Sequence, residues 1–186
     1  MAFELVFETH AITEDNERGI ATGWLPGILS EAGRREAHKL GERRRADNIA
    51  AVFTSDLDRA VQTAEIAFSG TGIPIYRDAR LRECNYGAMN GMPVAQFAGL
   101  RQRSIEQPFP SGESYRDVVT RMASFLDDMG RRYEGRRIIA IGHSATRWSL
   151  EYLVNGTALE ALVDAPFNWQ PGWEYVVSRL RANPVG

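Results

Sequence analysis

Residues 49–64 read Ile49-Ala50-Ala51-Val52-Phe53-Thr54-Ser55-Asp56-Leu57-Asp58-Arg59-Ala60-Val61-Gln62-Thr63-Ala64. A short apolar run, 49–53, stops at a polar cluster and passes into a helical pattern over 57–68 that ends at Ser69-Gly70, with Asp56 as its N-cap. A strand feeding directly into an amphipathic helix is half of a βα unit. A chain built from such units folds as an α/β protein, with a mostly parallel sheet covered by helices on both faces. Ligands then sit at the carboxyl ends of the strands, which directs attention to 55–59.

The same rhythm appears on either side. Apolar runs at 3–7 and 138–141 also end in polar clusters, Thr9-His10 and Gly142-His143. Ser30 reads as the N-cap of a charged helix to about residue 45. Ser114 opens a longer helix whose apolar positions Val118, Met122, Phe125 and Met129 recur every three or four residues. The stretch 82–110, rich in Gly, Pro, Asn and Met, reads as an excursion over the sheet edge rather than as core. Residues 174–180 read as an edge strand.

A length of 186 residues suffices for one substantial core, and one domain over 1–186 is expected. With 24 acidic against 22 basic side chains, there is no basic field to hold nucleic acid or an anionic membrane. Cys84, the single cysteine, rules out an internal disulfide and reads as a small semi-buried residue. The start, Met1-Ala2-Phe3-Glu4, lacks a basic leader region, and no window reaches the ~18 apolar residues of a membrane span. The expectation is a cytoplasmic protein.

Only three histidines are present, and His10 and His143 both fall just after predicted strands, with Arg59 after a third. His38 sits mid-helix among charges. Two imidazoles and an arginine at one edge of a sheet suit phosphoryl transfer through a covalent intermediate. A neutral imidazole attacks phosphorus, and a guanidinium, never deprotonated, pairs bidentately with the phosphoryl oxygens. A leaving alkoxide needs a proton, for which Glu83 is the candidate.

These residues carry a resemblance to the histidine phosphatase superfamily, the phosphoglycerate-mutase-like proteins. Thr54-Ser55-Asp56-Leu57-Asp58-Arg59-Ala60-Val61-Gln62-Thr63-Ala64 is similar to the family's S-S-x-L-x-R-A-x-Q-T-A. Leu81-Arg82-Glu83 with Gly87 and Asn90-Gly91 resembles its L-x-E block, Pro110-Ser111-Gly112-Glu113-Ser114 its P-x-G-E-S helix start, and Gly142-His143-Ser144 its second histidine. The resemblance implies a three-layer sandwich with His10 as nucleophile, Arg59 and His143 on the phosphate, Glu83 as proton donor, and neither metal nor cofactor. Asn16, Thr22, Gly23 and Ser144 fall where the family contacts its ligand. The first motif departs: the family has Arg-His-Gly-Glu-Thr where this chain has Thr9-His10-Ala11-Ile12-Thr13. Thr9 in place of the arginine removes a cation from the pocket, a difference of roughly 2–4 kcal/mol in transition-state stabilisation. Arg18, Arg80, Arg82 and Arg147 are the candidates to replace it, Arg18 and Arg147 foremost.

Two other readings compete. Gly142-His143-Ser144-Ala145-Thr146 is a near miss to the G-x-S-x-G elbow of serine hydrolases, but no histidine follows Ser144 to complete a triad. The missing arginine also allows a same-fold enzyme or binding protein turned to a less charged or non-phosphate ligand. The favoured expectation is a phosphomonoester hydrolase, rather than a mutase, acting on a small phosphorylated molecule as a monomer or homodimer.

Overall fold

The computed structural model describes residues 2–97 and 99–178. Along the chain run β1 (Phe3–Thr9), α1 (Glu14–Glu17), β2 (Ile20–Ala21), α2 (Glu31–Arg44), β3 (Ile49–Thr54), α3 (Asp58–Phe68), β4 (Ile75–Arg77), β5 (Met92–Pro93), α4 (Leu100–Arg103), α5 (Tyr115–Arg132), β6 (Arg137–Gly142), α6 (Ser144–Leu150), α7 (Leu159–Leu162) and β7 (Trp173–Val177). Five strands form the main sheet in the order β4-β3-β6-β1-β7. All its pairings are parallel except that of β7, which runs antiparallel to β1.

The period-2 alternation of each strand sorts its side chains between two helical layers. Phe3, Leu5 and Phe7 of β1, Ala51 and Phe53 of β3, and Ile138 and Ala140 of β6 pack with Val118, Met122, Phe125 and Met129 of α5. The residues between them, Val6, Val52, Ile139 and Ile141, face Leu40 of α2 and Ala60, Ala64, Ala67 and Phe68 of α3. The result is the α/β three-layer sandwich expected from the sequence. Each large side chain buried in these layers contributes about 1.5–3 kcal/mol. Gly41 of α2 lets that helix lie directly on α3: a Cβ there would stand 2.2 Å from the carbonyl oxygen of Ala67.

On the α2 face, the position after Val6 is Glu8, which is buried. Its carboxylate is held by Nε of Arg44 at 3.0 Å and Nη2 of Arg43 at 3.2 Å, and Arg44 also binds Asp47 and Glu174. A buried carboxylate is tolerable only with such partners. Here they fasten the end of β1, two residues before His10, to α2 and β7.

The structure corrects several local expectations. The 82–110 segment is not peripheral: Cys84, Tyr86, Phe97, Ile105 and Phe109 are buried in the α5-side core, and Cys84 is wholly rather than partly enclosed. Two short 3-10 turns, β5 and α4 carry these residues inward one at a time, so no periodicity announces them. Asp56 does not cap α3. Leu57 is the N-cap residue, without a side-chain bond, and Asp56 instead holds Arg82. Ser30 and Ser114 do cap α2 and α5, Ser114 in a capping box with Asp117. The edge strand β7 ends at Val177, and residues 179 and 180 of the expected strand lie outside the described residues. Trp148 is buried, whereas Trp169 is 59% exposed.

Candidate active site

His10 continues β1 by one residue, its amide donating to the carbonyl of Gly142 at 3.0 Å. His143 does the same for the neighbouring strand β6, where it caps α6, and its amide donates to Oγ1 of Thr146 at 2.8 Å. Adjacent parallel strands thus bring the two imidazoles together, ring centroids 5.0 Å apart. Arg59, in the first turn of α3 after β3, places its guanidinium between them. Its Nε–H donates to Nε2 of His10 at 3.3 Å, and Nη2 lies 3.3 Å from Nδ1 of His143. Thr63 ties this helix to the first loop, its hydroxyl donating to the Arg59 carbonyl and accepting from the amide of Ala11.

The remaining donors of Arg59 go to main-chain carbonyls, Nη2 to Gly23 at 2.7 Å and Nη1 to Leu25 at 3.3 Å. Gly23 has φ +57 and no room for a side chain, since a Cβ would stand 1.9 Å from Oδ1 of Asn90. Glu83, buried beyond a 3-10 turn, accepts at Oε1 from the amides of Cys84 at 2.8 Å and Ala145 at 3.2 Å. Four separate segments therefore converge on one pocket.

The electrostatics follow from burial of positive and neutral groups together. Burial, and then the charge of Arg59, lower the pKa of His10 to about 3, against the raising effect of the Ala11 carbonyl. Nδ1 of His10 lies 2.8 Å from that carbonyl, which holds the proton of the neutral ring on Nδ1 and leaves the Nε2 lone pair for Arg59. His143, buried and facing Arg59, is held well below the usual histidine range by burial first. Burial raises Glu83 above the ordinary carboxyl value, although the Cys84 amide, Arg59, the Ala145 amide and Arg121 all pull it down. The site thus contains a neutral imidazole, a fixed cation and a carboxyl group that keeps its proton to higher pH than usual.

Other residues nominated from sequence are arranged differently. Thr9 closes β1 opposite Gly142 and is half-buried. Asn16 is exposed and forms the capping box of α1 with Thr13. Thr22 donates to Asp15, and Ser144 begins α6 beside His143. The four arginines proposed to replace the missing cation are all engaged elsewhere. Arg18, its side chain 67% exposed, pairs with Asp15. Arg80 pairs with Asp78 and Asp128, Arg82 with Asp56, and Arg147 lies over the ring of Trp173. The sequence analysis assigned no role to Thr63, although it lies within the quoted motif, or to Arg121, whose partners are main-chain carbonyls and the carboxylate of Glu113.

The family model described as the histidine phosphatase superfamily (branch 1) matches residues 5–169. The chain belongs to that superfamily. Among the curated relatives of this superfamily member, a 2,3-bisphosphoglycerate-dependent phosphoglycerate mutase of Methylobacterium is 29% identical over 85% of this chain and 83% of its own. Two further phosphoglycerate mutases, of Candida albicans and Arthrobacter, are matched over only 40% and 41% of their length. Among solved structures, Bacillus stearothermophilus YhfR superposes with a TM-score of 0.80 at 30% identity, covering 91% of this chain and 88% of that one. A mycobacterial glucosyl-3-phosphoglycerate phosphatase in complex with VO3 follows at TM-score 0.75 and 27% identity, covering 86% and 85%. Relatives thus include both mutases and phosphatases. Among the described residues, no helix is long and apolar enough to cross a membrane.

Proposed function

We propose that this protein is a cytoplasmic phosphomonoester hydrolase that works through a phosphohistidine on His10. The observation that carries the reading is the neutral His10 ring, with its Nδ1 facing the Ala11 carbonyl and its Nε2 facing Arg59 and the buried His143. An entering phosphoryl group takes over the Arg59 donor, and Nε2 attacks phosphorus in line. Arg59 and His143 spread the charge of the transferring group over fixed donors, the kind of interaction worth roughly 10²- to 10³-fold per donor. Glu83 protonates the departing alcohol, and after transfer it accepts a proton from the water that cleaves the phosphohistidine. Between Glu83 and α5 the chain is short and much of it is packed into the core, which supports hydrolysis over transfer to a second alcohol. The substrate is a small phosphorylated molecule, and neither a nucleic acid nor a membrane is a partner.

Hydrolysis of p-nitrophenyl phosphate by the wild type and by His10→Ala, with vanadate as inhibitor, tests the reading. Vanadate-sensitive turnover by the wild type and its loss in the variant are expected, and equal turnover by both overturns it. The pairing of Arg18, Arg80 and Arg82 with carboxylates favours, as a second reading, a ligand less charged than a phosphomonoester dianion. A phosphodiester turned over faster than any monoester would decide for that alternative.

A further inference from the structure

The guanidinium of Arg121, on α5, directs both Nη nitrogens at the segment that carries Glu83. Nη1 donates to the carbonyls of Arg80 and Arg82, both at 2.7 Å, and Nη2 to the carbonyl of Glu83 at 2.9 Å. Nε and Nη2 also meet the carboxylate of Glu113 at 3.0 and 3.1 Å. Glu113 in turn accepts from the amide of Asn85 at 2.9 Å, and its own amide donates to the Asn85 carbonyl at 2.8 Å. The Glu83 carbonyl receives a second donor, Nε1 of Trp24, at 2.7 Å.

Apart from the 3-10 turn at Ala79–Leu81, residues 80–85 have no regular secondary structure, so nothing but side chains satisfies these carbonyls. A planar fork with fixed donor directions sets the positions of three carbonyls at once, which a single rotatable ammonium cannot do. We propose that Arg121, braced by Glu113, is a positioning residue for proton donation: it fixes the main chain at 80–83 so that the Glu83 carboxyl stands against the Ala145 amide and faces the leaving oxygen. Both residues lie outside the pocket, and neither touches His10, Arg59 or His143 by hydrogen bond.

This inference rests on Glu83 being the proton donor, and the experiment separates the two. A proton donor matters for a poor leaving group and little for a good one. kcat/KM is therefore measured for p-nitrophenyl phosphate and for an alkyl phosphate with wild type, Glu83→Gln, Arg121→Met, Arg121→Lys and Glu113→Gln. Arg121→Met is expected to cost the alkyl ester about 10- to 100-fold more than the p-nitrophenyl ester, a part of the roughly 10²- to 10⁴-fold that a general acid supplies. Arg121→Lys and Glu113→Gln are expected to fall between it and the wild type. Both esters are read on one protein sample, so any unfolded fraction lowers them equally and leaves the ratio intact. A steep leaving-group effect in Glu83→Gln with none in the Arg121 and Glu113 variants overturns the positioning role alone. No leaving-group effect in Glu83→Gln overturns the proton-donor reading and this inference with it.

Discussion

Nε of Arg59 stands 3.3 Å from Nε2 of His10, so the cation proposed to hold the phosphoryl group already addresses the atom proposed to attack it. The same guanidinium meets His143, Gly23 and Leu25. Arg59→Lys keeps a charge but loses the fork, and Arg59→Met loses both. Steady-state kinetics on p-nitrophenyl phosphate should show kcat/KM down by about 10²-fold or more for the lysine variant and about 10³-fold for the methionine variant. A lysine enzyme within tenfold of wild type would contradict the assigned role.

Thr9 occupies the end of β1 where the family carries an arginine, and none of the four nearby arginines nominated from sequence fills the gap. Thr9→Arg should restore a donor to the anion. Inorganic phosphate, measured as a competitive inhibitor, should bind about 10- to 100-fold more tightly, the yield of one charge-assisted hydrogen bond of 1.5–3 kcal/mol. The gain should shrink as salt is raised. An unchanged inhibition constant would place the anion away from Thr9.

The pH profile should have one enzymatic limb. His10, with its pKa at about 3, is already neutral through the usual assay range, so no loss of rate from its protonation is expected above about pH 4. Glu83 is raised, chiefly by burial, and as a proton donor it is active while protonated. kcat/KM for an alkyl phosphate should therefore fall as pH rises through the Glu83 pKa, at a pH above the ordinary carboxyl range. The substrate's own ionisation near pH ~6 is common to all variants. Dividing the wild-type profile by that of Glu83→Gln isolates the limb, and a flat quotient would rule Glu83 out as the donor.

Two helical glycines should respond oppositely to alanine. Gly41 lies against the main chain of Ala67, and a methyl there would stand 2.2 Å from the carbonyl oxygen, so α2 and α3 must separate. Gly41→Ala should lower stability by about 1–3 kcal/mol or more. At Gly130 of α5 the nearest atom to a new Cβ is Cε1 of Phe3 at 3.9 Å, ordinary contact, so Gly130→Ala should add about 0.5–1 kcal/mol from helix propensity. Urea denaturation of both variants provides the test, and the same sign for both would refute it.

What could be read in the sequence was whatever repeats or punctuates. The apolar runs of β1, β3 and β6 and the serine caps of α2 and α5 announce themselves by periodicity and by residue type. His10 and His143 were placed at one edge because both follow such runs. The inward course of 82–110 was hidden, since Tyr86, Phe97 and Phe109 enter the core singly from turns. The pairing of Arg82 with Asp56 and the placement of Arg147 over Trp173 are equally hidden, because each partner is 26 residues away. Arg18 carried its own signal: Asp15, three residues earlier in the chain, is its partner.

The contact between Nδ1 of His10 and the Ala11 carbonyl has a consequence for the identity of the proposed covalent adduct. Phosphohistidine exists as two regioisomers, and a ring whose Nδ1 carries the proton can be phosphorylated only on the opposite nitrogen. The choice is made by a main-chain oxygen at Nδ1 together with the Arg59 donor at Nε2, not by the side chain of residue 11. Alanine at position 11, where the resembled motif has glycine, therefore leaves the regiochemistry untouched, and a first motif that differs from the resembled one at 9, 11 and 12 still dictates which isomer of the proposed adduct can form.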